Sequence, residues 1–237
     1  MHRFFISPQD CRPGLVRLSD EDLAHIRAIR LRPGETFIVC DGAGTDYICR
    51  LGPSRGEPEI VDSRPSRGEP DVECRIFLAL SKGDRMDAAV QKSVELGAAS
   101  IVLFPSERSL PADASKKTAR LQRIALEAAK QSGRGRIPEV TAAPSFLAAV
   151  GEAAKTQLPL FFYELEQSFR LRQALEERED AKTISIFTGP EGGFTPDEAQ
   201  SAQAAGMFSV TLGTRILRCE TAPVAALAAI MYHTGNL

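Results

Sequence analysis

The segment Thr188-Gly189-Pro190-Glu191-Gly192-Gly193-Phe194 packs three glycines into five positions around a proline. Glycine adopts positive φ at no steric cost and lets backbone approach a ligand that a Cβ would hold off, while proline stiffens the turn. A plain strand-to-helix connection needs one glycine, so three at this spacing point to a ligand-binding loop. A second segment, Leu212-Gly213-Thr214-Arg215-Ile216-Leu217-Arg218-Cys219-Glu220-Thr221-Ala222-Pro223, sets two arginines and a glutamate between an apolar run and a helical pattern. Taken alone, Arg215, Arg218 and Glu220 suit a solvated ion cluster as well as they suit catalysis. Their place beside the glycine loop favours catalysis.

Other chemistries lack their residues. No G-x-x-x-x-G-K-[ST] loop occurs, and no G-x-G-x-x-G follows the first α/β strand, which disfavours P-loop hydrolysis and a standard dinucleotide-binding half. Gly42 and Gly44 fall in a hairpin. Cys11, Cys40, Cys49, Cys74 and Cys219 form no C-x-x-C pair and no Cys/His ligand spacing, so neither a disulfide framework nor a metal site is expected. His2, His25 and His233 read as surface or structural residues, and His-dependent triads are not expected.

The elements that must position these loops follow from periodicity. From Cys74 onward, apolar runs at 74–80, 100–104, 158–163, 183–187 and 208–212 alternate with helical patterns at 84–96, 115–131, 145–153, 168–178, 196–205 and 221–233. This alternation predicts an α/β domain with a parallel sheet covered on both faces, and both candidate loops fall at carboxyl ends of its last two strands. Ser115 is expected to open one helix, and Thr195-Pro196-Asp197-Glu198 supplies an N-cap, a first-position proline and a capping-box acid, with Gly206 closing.

The first seventy residues read differently. A strand at Arg3–Ile6 precedes a helix with Ser19 and Asp22 at capping-box spacing, ended by Arg32-Pro33-Gly34, and strands at 36–40 and 46–51 flank a DGAG turn. This predicts a small β-rich domain over 1–70 and the α/β domain over 71–237. PSRGEP occurs at 53–58 and again at 65–70, read as a duplication in a tolerant polar loop whose second copy is the interdomain linker.

With 237 residues, 43% hydrophobic and 25% charged, the chain is globular in composition and can bury a sizeable core. No apolar run approaches the ~20 residues of a membrane span, and MHRFFISPQD has no apolar signal region, so a cytoplasmic protein without a membrane partner is expected. The net charge of −2 is uneven: residues 74–140 hold twelve Lys and Arg against seven Asp and Glu, and both flanking regions are acidic. Lys116, Arg120, Arg123 and Lys130 fall on one stripe of the 115–131 helix, with Arg134 and Arg136 just beyond its end, a surface suited to a phosphate backbone.

QKSVELGAASIVLFPSERS (91–109), EAAKQSGR (127–134), TGPEGGF (188–194) and LGTRILRCETAPVAALAAI (212–230) resemble the RsmE-type 16S rRNA (uracil-N3)-methyltransferases of the SPOUT, or α/β trefoil-knot, superfamily. The resemblance runs nearly full length, since that family carries a PUA-like N-terminal domain. It implies a knotted α/β domain, S-adenosylmethionine as cofactor, 16S rRNA or the small ribosomal subunit as substrate, and a homodimer formed through the C-terminal domain. Cys219 stands where the family usually has Thr, and Lys130 where Glu is expected.

Joined to that resemblance, the residues take roles. Thr188, Gly189, Pro190, Glu191, Gly192, Gly193, Leu212, Gly213, Ile216, Leu217, Thr221 and Ala222 would wrap the cofactor, with Glu164 after the LFFY run a third contact. Uracil N3 must lose a proton, and its charge spreads onto two carbonyl oxygens. Arg218 or Arg215 suits that charge, and Glu191 or Glu220 can receive the proton. Alternatives are another SPOUT-type RNA methyltransferase, carbon-5 methylation through Cys219 as nucleophile, and a non-catalytic RNA-binding module.

Overall fold

The computed structural model describes residues 2–6, 10–12, 15–52, 58–81, 84–109 and 114–237. The chain divides into two compact units, 1–69 with 129–137 and 70–128 with 138–237. No helix among the described residues is long and apolar enough to cross a membrane.

The first unit holds β1 (Arg3–Phe5), β2 (Cys11–Arg12), β3 (Leu15–Val16), α1 (Asp20–Ala28), β4 (Thr36–Cys40), β5 (Thr45–Arg50) and β6 (Glu59–Pro65), in a sheet ordered β1-β4-β5-β6-β3-β2. β1 runs parallel to β4, and the other pairs are antiparallel. The expected capping box starts α1: Ser19 Oγ accepts from Asp22 N (3.1 Å) and Asp22 Oδ2 accepts from Ser19 N (3.3 Å). The DGAG turn closes the β4–β5 hairpin, with Gly42 at φ +71 and Gly44 at φ +110.

The polar stretch from Glu59 is not the open loop that its composition suggests. Glu59–Pro65 is a full strand paired with β5, and only Ile60 packs against the core. A strand that buries so little has too faint an alternation to be read from sequence. The first PSRGEP copy lies outside the described residues up to position 57. The second holds the boundary, because the first unit ends at Glu69 and the second begins at Pro70, and Glu69 binds residues 134–136 of its own unit. Glu69 accepts from Arg134 Nε (2.9 Å) and Nη2 (2.7 Å) and from the N–H groups of Gly135 and Arg136 (2.8 and 3.0 Å).

In the second unit the elements are β7 (Glu73–Ala79), α2 (Arg85–Glu95), β8 (Ser100–Phe104), α3 (Ala114–Ser132, its last residues in the first unit), β9 (Glu139–Ala142), α4 (Phe146–Ala153), β10 (Leu158–Phe162), α5 (Leu171–Glu177), β11 (Thr183–Thr188), α6 (Pro196–Ala204), β12 (Phe208–Val210) and α7 (Thr221–His233). All six strands are parallel, in the order β12-β10-β11-β7-β8-β9, which is the α/β architecture expected. β9 is an edge strand that buries only Val140, and its sequence gives no strand signal. The residues before Ala114 that would cap α3 lie outside the described set. On α6, Thr195 and Glu198 form the expected capping box and Pro196 opens the helix.

An aromatic cluster sits under the carboxyl ends of the central strands. Phe77, Phe104, Phe161, Phe187 and Phe194 are buried, with Phe104 and Phe187, and Phe161 and Phe194, at 4.3 Å between ring centroids. Phe194 is the last residue of the glycine-rich segment, so that loop is rooted in the core by its own side chain.

Candidate functional site

The strand order brings β10, β11 and β12 together at one end of the sheet, and Phe162 lies level with both Thr188 and Val210. Their three following loops enclose an open cleft of about 1020 Å³. Its walls include Glu164, Thr188, Gly189, Pro190, Glu191, Gly192 and Gly193, then Leu212, Gly213, Arg215, Ile216, Leu217, Arg218 and Ala222. Thr221 lies in the first turn of α7, exposed and off this wall. Glu220 faces an adjoining small hollow shared with Arg85, Thr188, Gly189 and Cys219.

The shape of the glycine loop is set from two sides, by Glu164 and by Arg108. Phe194 N donates to Glu164 Oε1 (3.0 Å), and Gly193 sits at φ +69 against that carboxylate. A Cβ on Gly193 would fall 1.8 Å from Glu164 Oε1, so no other residue leaves the buttress its space. From the strand-β8 side Arg108 Nη1 donates to the carbonyls of Gly192 (2.9 Å) and Phe194 (3.3 Å). The loop carrying Arg108 is in turn fixed because Glu107 N donates to the buried Glu198 Oε1 (2.9 Å). At the tip, Arg85 Nη1 pairs with Glu191 Oε1 (2.9 Å), which raises the Arg85 pKa. Glu164, expected to touch a ligand, therefore spends one oxygen on the loop itself.

The loop after β10 has its own brace. Glu166 Oε1 accepts from Ser168 Oγ (2.6 Å), Ser168 N (2.8 Å) and Phe169 N (3.2 Å), and the Ser168 hydrogen bonds bring its carboxyl down to about 2. That turn holds residues 166–169 out of helix, and α5 begins at Leu171 instead of 168.

On the third loop Arg215, Ile216 and Arg218 are exposed, Ile216 at 83%. Glu220 is held below the ordinary carboxylate range, first by a backbone N–H, then by Cys219, Arg85 and Arg218. Cys219 Sγ donates to Glu220 Oε2 (3.2 Å), and desolvation with that carboxylate pushes the thiol up to about 11. Such a thiol is almost wholly protonated near neutrality, the wrong state for a nucleophile.

The basic residues divide. Lys116, Arg120 and Arg123 lie exposed on the second unit's part of α3, opposite buried Leu121, Ala125 and Ala128, with Arg120 in an ion pair with Asp87. Lys130 and Arg136 belong to the first unit. Arg134 must be removed from any phosphate-binding face: it is 3% exposed and its charge is consumed by Glu69. Among the described residues, no group of three His, Cys, Asp or Glu is placed to hold a metal ion.

Sequence reasoning missed Arg85, Arg108 and Glu166, and read Glu198 only as the capping-box acid. The first two lie far along the chain from the loops they hold, and only the SERS and capping-box motifs mark their neighbourhoods.

An RNA methyltransferase domain model matches residues 68–231. The chain is 33% identical to a ribosomal RNA small subunit methyltransferase E from Synechocystis over 97% of this chain and 77% of that one. It is 32% identical to the protein of that name from Mesomycoplasma hyopneumoniae, over 94% and 96%. A ribosomal RNA small subunit methyltransferase E from Neisseria gonorrhoeae, solved bound to S-adenosyl methionine, is similar at a TM-score of 0.84 and 34% identity, over 98% and 97% of the two chains.

Proposed function

The chain belongs to the RNA methyltransferase family, with the ribosomal RNA small subunit methyltransferases E, and on that premise we propose that it methylates N3 of a uridine in 16S rRNA using S-adenosylmethionine. The observation that carries this reading is the cleft at β10, β11 and β12: a glycine-walled cradle beside two arginines and two carboxylates. Its size and its mixture of exposed backbone with apolar Leu165, Ile216 and Leu217 suit a nucleoside bearing an amino-acid tail. Gly189–Gly193, Leu212–Leu217 and Ala222 would hold that cofactor, which when bound supplies a methyl group on a sulfonium.

The chain's own groups do the rest. Glu191 or Glu220 accepts the N3 proton, and Arg218 stabilises the charge left on the uracil oxygens. Incubation with S-adenosylmethionine and 16S rRNA or small subunits, then nucleoside mass spectrometry, is expected to yield N3-methyluridine. A carbon-5 or ribose-methylated product, or none, would overturn the assignment.

The first unit is read as PUA-like and the second as knotted, in a cytoplasmic protein. Two copies are proposed to associate through α7, where Val224, Ala225 and Ala228 are partly exposed beside buried Pro223, Ala226, Leu227, Ile230 and Met231. Small residues there permit close approach of a second helix. Sedimentation at micromolar concentration is expected to give a dimer, and a monomer would rule this face out.

RNA is proposed to lie on Lys116, Arg120 and Arg123. Replacing Arg120 and Arg123 by Ala is expected to weaken rRNA binding for all sequences alike and to flatten its salt dependence by about one unit of slope for each phosphate no longer neutralised. S-adenosylmethionine affinity should stay at the wild-type value. An unchanged slope would make this face merely solvated.

A further inference from the structure

Arg85 opens α2, a helix whose first turn meets both the glycine loop and the basic helix within the second unit. Its guanidinium pairs with Glu191 in the glycine loop and borders the hollow that contains Cys219 and Glu220. In the same first turn of that helix, the next two residues, Met86 and Asp87, meet α3: Asp87 pairs with Arg120, and Lys117 Nζ donates to the carbonyl of Ser81 (2.7 Å) and approaches Met86 Sδ (3.8 Å). The α3 cations Arg120 and Lys117 thus lie against the helix whose first residue, Arg85, borders the hollow beside the cleft and pairs with the cleft residue Glu191. The chain spends two acids against these cations, yet both ion pairs are open to solvent, with the arginine side chains 44% and 57% exposed. Exposed pairs of this kind contribute little to stability, so a phosphate can take either guanidinium at little cost. Guanidinium also has five donors in a fork that matches phosphate, more than the Glu191 contact uses.

We propose that Arg85 binds the RNA backbone phosphate beside the target nucleotide, so that the strand held on α3 enters the cleft with its base against Glu220 and Arg218. This rests on the rRNA-methylating reading and adds to it a positioning residue and a strand path. Arg85→Ala is expected to lower the salt slope of 16S rRNA binding by about one unit and to raise the KM for RNA about tenfold. Arg85→Lys, which keeps the charge, restores the slope but only part of the KM, because a point charge replaces the fork. Calorimetric affinity for S-adenosylmethionine stays within about twofold of wild type, since only one exposed pair is removed.

An unchanged salt slope in Arg85→Ala overturns the proposal. So does a fall in cofactor affinity equal to that of Glu191→Gln, which would make Arg85 a latch on the glycine loop. Arg85→Gln, which keeps the side-chain length, serves if the alanine variant does not fold. RNA binding is read without turnover, so a wild-type protein that makes no N3-methyluridine overturns the underlying reading and leaves this measurement standing on its own.

Discussion

Gly193→Val is expected to lower S-adenosylmethionine affinity by at least a hundredfold, about 2.7 kcal/mol, while circular dichroism still shows a folded α/β protein. Two costs combine. The residue sits at φ +69, where a side chain strains the backbone by about 1–2 kcal/mol, more for a β-branched one. Its Cβ would also overlap Glu164 Oε1 at 1.8 Å, so either the carboxylate leaves Phe194 N or the loop moves. The other glycines set a scale within the same loops. Gly213, at φ +117 with nothing within 4 Å of an added Cβ, should cost only the strain. Gly192 meets Arg108 Cβ at 3.2 Å, a contact that a small shift relieves, and its Ala variant should be mild. Arg108→Ala, which frees the carbonyls of Gly192 and Phe194, should weaken the cofactor about tenfold by unlocking the loop. Adding Glu164→Ala to Gly193→Ala should recover part of the loss, because it empties the space the methyl needs. Calorimetric titration of these variants, Gly193→Ala alone included, reads every value. Wild-type affinity in Gly193→Val would remove the glycine loop from the cofactor site.

How much of this was legible depends on how far each signal reaches along the chain. The glycine spacing and the Thr195 cap are local, and the sequence marks their loop and helix within a residue. Which glycine matters most is not local: Gly193 is singled out only by Glu164, twenty-nine residues earlier and on another strand end. Phe194 reads as one more apolar residue until the sheet stacks it on Phe161. Strands β6 and β9 escape because they bury almost nothing on one face, and periodicity reports burial and not hydrogen bonding. Arg134 shows the converse error. Helical spacing put it just beyond a basic stripe, but its charge is neutralised by Glu69, sixty-five residues away. Charge patterns show which side chains share a face and leave hidden which are already paired.

Arg218→Ala is expected to reduce kcat by about 10²–10³ with cofactor affinity unchanged, because a donor that faces developing charge contributes roughly 3–4 kcal/mol to the transition state and little before it. Arg218 is preferred to Arg215 because its charge acts on Glu220, which places it by the group beside Cys219 and Arg85. The adjoining cysteine makes the sharper comparison. A carbon-5 mechanism needs a thiolate adding to the ring, whereas the Cys219 thiol stands at about 11 and donates to Glu220. Only about one thiol in ten thousand is ionised at pH 7 with such a value. Cys219→Ala should therefore keep kcat within about threefold, the change expected when one hydrogen bond to a solvated carboxylate is removed. If instead Cys219→Ala destroys turnover and Arg218→Ala spares it, the proton-abstraction chemistry proposed for N3 is wrong. If Arg215→Ala shows the large kcat loss and Arg218→Ala does not, the charge-stabilising role passes to Arg215 while the chemistry stands.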